Sequence, residues 1–158
     1  LTTSFDEVKF FTEKNNCLVI GVNDHKTSFD KFISYHAICH PMRNSKLSKI
    51  TRKIISPFKR SLFGDICFPV TFGDKNSLSD GNLVLKSPYV LPYLFGFLAS
   101  TNVKSVTLAG FDGQQTNEST DIENACKEIL NKSKLEILSI TPSTLNYTKP
   151  FKYYHSVT

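Results

Sequence analysis

A chain of 158 residues, 40% of them apolar, is long enough to bury roughly two-thirds of the surface its unfolded form exposes, so one domain spanning residues 1–158 is expected. Nineteen Lys and Arg against 14 Asp and Glu leave a formal charge of +5, which favours anionic partners. No run reaches the ~18 apolar residues a bilayer span needs, and the longest, 90–99, is interrupted by Pro92 and Gly96; a soluble, cytoplasmic domain is the expectation.

The chain opens on Leu1 and polar residues rather than on a methionine or a signal core, the pattern of a piece excised from a longer protein. Phe5, Val8, Phe10 and Phe11 fall near helical spacing and predict a first helix over 5–14. Residues 17–22 form a continuous apolar run of strand length, read as a strand buried on both faces and ended by Asn23 and Asp24. FISYHAIC at 32–39 is a second strand, closed by His40 and Pro41. Residues 45–54, if helical, turn Leu47, Ile50 and Ile54 inward and Lys46, Lys49 and Lys53 outward. Short strands follow at 54–56 and 66–72, the latter at an edge because of Pro69, and 74–82 reads as a polar loop. Residues 83–86 read as a brief strand or an extended lead-in to the next helix.

The second half is more regular. Residues 89–101, apolar nearly all round, predict a deeply packed helix with Pro88 at its first turn, and 106–109 a strand. Ile122, Ala125, Cys126, Ile129 and Leu130 recur at helical intervals in 119–132, with acids early and lysines late. Residues 135–140 are a last strand, and 143–158 form a tail or lid in which Tyr147, Phe151, Tyr153 and Tyr154 dock the chain or pair it with another subunit. A mobile lid would carry His155 as a general acid or base. Strands alternating with helices predict an α/β, doubly wound, mostly parallel sheet with helices on both faces, a Rossmann-like architecture.

Chemistry is expected at the carboxyl edge of such a sheet. Asn23 and Asp24 end one strand, His40 and Arg43 follow the next, and Asp112 lies two residues past the glycine that stops SVTLAG. Residues 31–64 hold no acid, while Lys31, Arg43, Lys46, Lys49, Arg52, Lys53, Lys59 and Arg60 fall within them. A solvated helix face explains such a stretch, and so does a phosphate-rich ligand or an anionic membrane surface contacted peripherally. Nucleic acid is not expected, since aromatics suited to base stacking are not interleaved with these charges. His36 and His40 share a strand face but lack a third ligand, so no metal is expected. Gly21 belongs to neither GxGxxG nor Walker A, GxSxG is absent, and the four cysteines never form CxxC, which leaves no cofactor assigned and the thiols reduced and buried.

VIGVND at 19–24, YHAICHP at 35–41 and TLAGFDG at 107–113 resemble the sheet of Rossmann-like proteins of bacterial surface-glycan synthesis, the CstII-type sialyltransferases and the pterin-diphosphokinase-like domains. That resemblance implies that Asn23 matches a strand-terminal Asn holding a CMP-sugar and that Asp112 matches the acid after the central strand. His40 stands where a second Asn would be, and the GNGPS-like loop has no counterpart in the chain. A long apolar helix, LAGFDG, an acidic helix and a strand ending SITP are closer in layout to the Rossmann-like extension that follows an aldolase barrel in HMG-CoA lyase-like proteins of polysaccharide clusters. The expectation is a domain that binds a phosphorylated sugar or nucleotide-sugar, with an aldolase barrel upstream. A glycosyltransferase or diphosphotransferase in its own right, and a non-catalytic assembly module whose basic face meets another domain or an anionic membrane, are the alternatives; a homo-oligomer is a separate expectation.

Overall fold

The computed structural model describes residues 2–22, 32–40, 53–58, 65–110, 117–140, 145 and 148–150, with backbone alone for 2–5 and 149–150. In chain order the elements are α1 (Thr2–Asn15), β1 (Ile20–Val22), β2 (Tyr35–Ala37), β3 (Lys53–Ser56), β4 (Ile66–Cys67), β5 (Val70–Phe72), β6 (Ser77–Ser79), β7 (Asn82–Leu85), α2 (Val90–Ala99), β8 (Ser105–Leu108), α3 (Asn117–Leu130), β9 (Glu136–Ser139) and β10 (Lys149–Pro150). Helices and mostly parallel strands make this an α/β structure. Its strands form three hydrogen-bonded sheets: β1-β2-β3-β4 and β10-β9-β8, parallel throughout, and β5-β7-β6, whose β6–β7 pair is antiparallel.

Alternation along β2 sorts the first sheet into two faces. Ala37 and Cys39, fully buried, join Ile55 in the main core, while Ile38 and Ile54 make a small cluster of their own. His36, 3% exposed, lies against β1: a Cβ on residue 21 would stand 3.0 Å from His36 Cε1, so Gly21 is what admits the imidazole. The main core links all three sheets through α2 and α3, with Leu83, Leu85, Leu91, Tyr93, Phe95, Leu108, Cys126, Ile129 and Ile137 at its centre.

The periodicity of α3 holds. Ala125, Cys126 and Ile129 are buried, and Glu123 pairs with Lys127 at 2.8 Å on the outer side. In α2 six consecutive residues from Leu91 to Gly96 are buried, as a helix apolar all round requires. Tyr89 is its N-cap, so Pro88 precedes the helix and Pro92 occupies the first turn. Proline is tolerated there because amides of that turn have no intrahelical acceptor.

Several expectations are corrected. The strand predicted over 17–22 is only Ile20–Val22, half-buried, and Leu18 is 76% exposed, because pairing with β2 begins at Ile20 opposite Tyr35. Cys17 and Cys67 are exposed, whereas Cys39 and Cys126 are buried; all four thiols are free. Phe10 of α1 is 55% exposed. The strand read over 54–56 is β3, which begins one residue earlier, so Lys53 and Ile54 do not close a helix over 45–54; the Lys53 ammonium lies 5.7 Å from the centre of the Tyr35 ring, and residues 45–52 lie outside the described residues. The strand expected over 66–72 is divided at Pro69 into β4 and β5, both edge strands of different sheets. The polar loop 74–82 contains β6 and a two-residue hairpin, with Asp80 at φ 50° and Gly81 at φ 78°, the pairing that type I′ turns require. Among the described residues no helix is long and apolar enough to cross a membrane.

Candidate functional site

Parallel pairing fixes where successive segments leave the first sheet. Val22 stands beside Ala37, Ala37 beside Ile55, and Ser56 beside Cys67. The ladder runs on past the strands, with the Ile38 amide donating to the Ile55 carbonyl at 3.0 Å and the Phe68 amide to the Ser56 carbonyl at 3.1 Å. The carboxyl ends of β1 and β2 are therefore neighbours about 4.8 Å apart, and Asn23 follows one of them directly in sequence. His40, half-buried, is the predicted site residue that falls within the described part of the chain; Asn23, Asp24, Arg43 and Asp112 lie outside it. Residues 151–158, with His155, lie outside it as well.

The described side chains packed beneath this edge include two thiols, a phenol and a hydroxyl. Burial pushes the Cys39 thiol up to about 12, which leaves it protonated at neutral pH and a poor nucleophile. Tyr93, fully buried in α2, donates its hydroxyl to the Phe68 carbonyl at 2.9 Å. Its pKa is raised by burial and, beyond that, by the nearby Cys39 and Cys67 thiols. The Ser56 hydroxyl donates to the Phe58 carbonyl at 2.8 Å and accepts the Phe58 amide at 3.2 Å, closing the turn after β3. The Cys67 thiol reaches the Pro57 carbonyl at 3.7 Å. Thiol, phenol and hydroxyl are all turned to backbone carbonyls or core and together make a neutral floor.

The edge of β8 is built differently. Leu108 pairs with Ser139 of β9, the Ile140 amide donates to the Leu108 carbonyl at 2.9 Å, and Gly110 turns the chain at φ 77° just before Phe111 and Asp112. β8 belongs to the second parallel sheet, and the described strands show no ladder joining it to β1. Among the described residues no group of three or more His, Cys, Asp or Glu is placed to hold a metal ion.

Tyr93, beneath the edge of the first sheet, is a residue that apolar periodicity alone does not single out. Its signal was available: a tyrosine inside an all-apolar helix needs a partner for its hydroxyl, and that partner marks where the helix meets polar backbone. Comparison of the chain with protein-family models, with curated proteins and with solved structures finds no match in any of the three.

Proposed function

We propose that the chain is a Rossmann-like domain of a bacterial surface-glycan biosynthesis protein, of the kind that extends an aldolase barrel, and that it binds a phosphorylated sugar or nucleotide-sugar at the carboxyl edge of its parallel strands. The observation that carries this reading is the winding of the two parallel sheets. The first runs β1-β2-β3-β4 and the second β8-β9-β10, each in chain order from its earliest strand. In a doubly wound sheet the two innermost strands would be β1 and β8, and ligands bind beyond the carboxyl ends of that inner pair. Asn23 and Asp24 follow β1, and Asp112 follows β8.

In this reading Asp112 accepts hydrogen bonds from sugar or ribose hydroxyls and Asn23 orients the ligand. Arg43 and the lysines of the acid-free stretch neutralise phosphate, as charge-assisted bonds to a guanidinium do well. Asp24 and His40 flank the same edge. The neutral floor of Cys39 and Tyr93 supports a binding role over a covalent one, because neither group ionises near neutral pH.

Titration calorimetry with CMP- and UDP-sugars tests the proposal. Saturable heat that is lost in Asp112→Ala and weakened in Arg43→Ala is the expected result. No heat at millimolar ligand, or binding unchanged in Asp112→Ala, overturns it.

A further inference from the structure

A hollow of about 330 Å³ lies where the tip of the β6–β7 hairpin meets the C-terminal ends of α2 and α3. Its volume is at the lower end of the range for small-molecule sites, roughly 300–1,000 Å³. Two opposite charges line it, Asp80 from the hairpin and Lys132 from the turn after α3. Among the described residues neither has an ion-pair partner, and the Asp80 carboxylate takes a hydroxyl from Ser79 at 3.3 Å. A carboxylate and an ammonium that share a hollow without closing on one another leave a gap that a molecule of reversed polarity can bridge.

The neighbouring hydroxyls are sorted in the same sense. Ser100 spends its proton on the Gly96 carbonyl at 2.8 Å, so on the ligand side its oxygen can only accept. Ser133 accepts the Leu135 amide at 3.0 Å and keeps its own proton to donate. Both helices end here, and helix C-termini favour cations. Leu78 and Ile129 supply an apolar wall between the two polar ends.

We propose that this hollow binds a small zwitterion of the amino-acid class, its ammonium held by Asp80 and Ser100 and its carboxylate by Lys132 and Ser133. The site is separate from the carboxyl edge and does not depend on what that edge binds.

The test uses amide chemical shifts of the isotope-labelled chain, titrated with glycine, β-alanine, γ-aminobutyrate and 5-aminovalerate as a ruler for the separation of charges. Propylamine and propionate carry one charge each and serve as controls. Saturable shifts at Gly81, Ser100 and Ser133 are expected for one length of the series and not for the controls. Asp80→Asn, whose new side chain tolerates the positive φ of this turn, and Lys132→Gln should each weaken binding by about tenfold, the scale of one charge-assisted hydrogen bond. Three results overturn the proposal: no saturable shift with any of the four, equal shifts with the singly charged controls, or undiminished binding in both variants while the rest of the spectrum stays native.

Discussion

The Tyr93 hydroxyl donates to the Phe68 carbonyl at 2.9 Å, tying the middle of α2 to the chain just beyond β4. The rings of the two residues stand 6.2 Å apart at 52°, and Phe68 also meets Phe97 edge-on at 5.5 Å. Tyr93→Phe keeps this aromatic packing and removes one hydrogen bond, so a loss of about 1 kcal/mol is expected. Tyr93→Ala deletes the ring from a fully buried position and should cost ~3–5 kcal/mol. Urea unfolding midpoints at constant slope measure both. A Tyr93→Phe chain as stable as the parent would show that water replaces the phenol without loss.

Thiol accessibility follows from the burial of the four cysteines. Cys17 and Cys67 are exposed, Cys39 and Cys126 fully buried. Two thiols should therefore react with an aromatic disulfide reagent in the native state and four after denaturation. Cys17 should be the faster of the two, because the Cys67 thiol is engaged with the Pro57 carbonyl. Peptide mapping of the labelled chain identifies the sites, and rapid native labelling of Cys39 would contradict the packing of β2.

Alkaline pH should destabilise the fold through Cys39. Its folded-state pKa is raised from 9.0 to about 12, so above pH 9 the unfolded chain releases a proton that the folded chain retains. Stability contributed by the protonated thiol is complete below pH 9 and is lost as pH climbs toward 12, at no more than ~1.4 kcal/mol per pH unit for one group. Tyr93 is shifted in the same direction by burial and adds to the slope at the upper end of that window. Denaturation midpoints measured from neutral pH upward should fall, and Cys39→Ala should flatten the early part of the decline. A profile identical in Cys39→Ala would assign the loss to other groups.

What the sequence made legible was set by how much of each element's environment is local. α3 could be read because Ile122, Ala125, Cys126 and Ile129 repeat at the helical period, and β8 and β9 because short β-branched runs stand between breakers. Cys17 and Leu18 misled because an apolar run carries no information about where its partner strand begins; pairing starts at Ile20. Lys53 and Ile54 fit a helical face as well as a strand, and only the ladder with β2 decides. The β6 strand, Ser-Leu-Ser, is too polar to announce itself, although Asp80-Gly81 is a recognised hairpin signal. At the candidate site, the succession of residues after strand ends was readable, but the two sheets that carry them are a matter of long-range pairing.

Gly96 of α2 packs closely against Leu83 of β7. A Cβ at position 96 would lie 2.6 Å from Leu83 Cδ1 and 2.7 Å from Cδ2, and Leu83 is only 2% exposed, so the leucine has little room to retreat. Two effects of Gly96→Ala oppose each other. Alanine favours the helix by about 1 kcal/mol, while overpacking a filled core costs ~1–3 kcal/mol. The clash should win, lowering the melting temperature, and the double variant with Leu83→Ala separates the terms. Leu83→Ala alone leaves a cavity costing ~2–5 kcal/mol, but in its presence the new methyl occupies vacated space, so the effects of the two substitutions should be strongly non-additive. Additive losses would mean that α2 shifts away from β7 as a body instead of pressing on this one side chain, and a Gly96→Ala chain more stable than the parent would mean that helix propensity outweighs the contact.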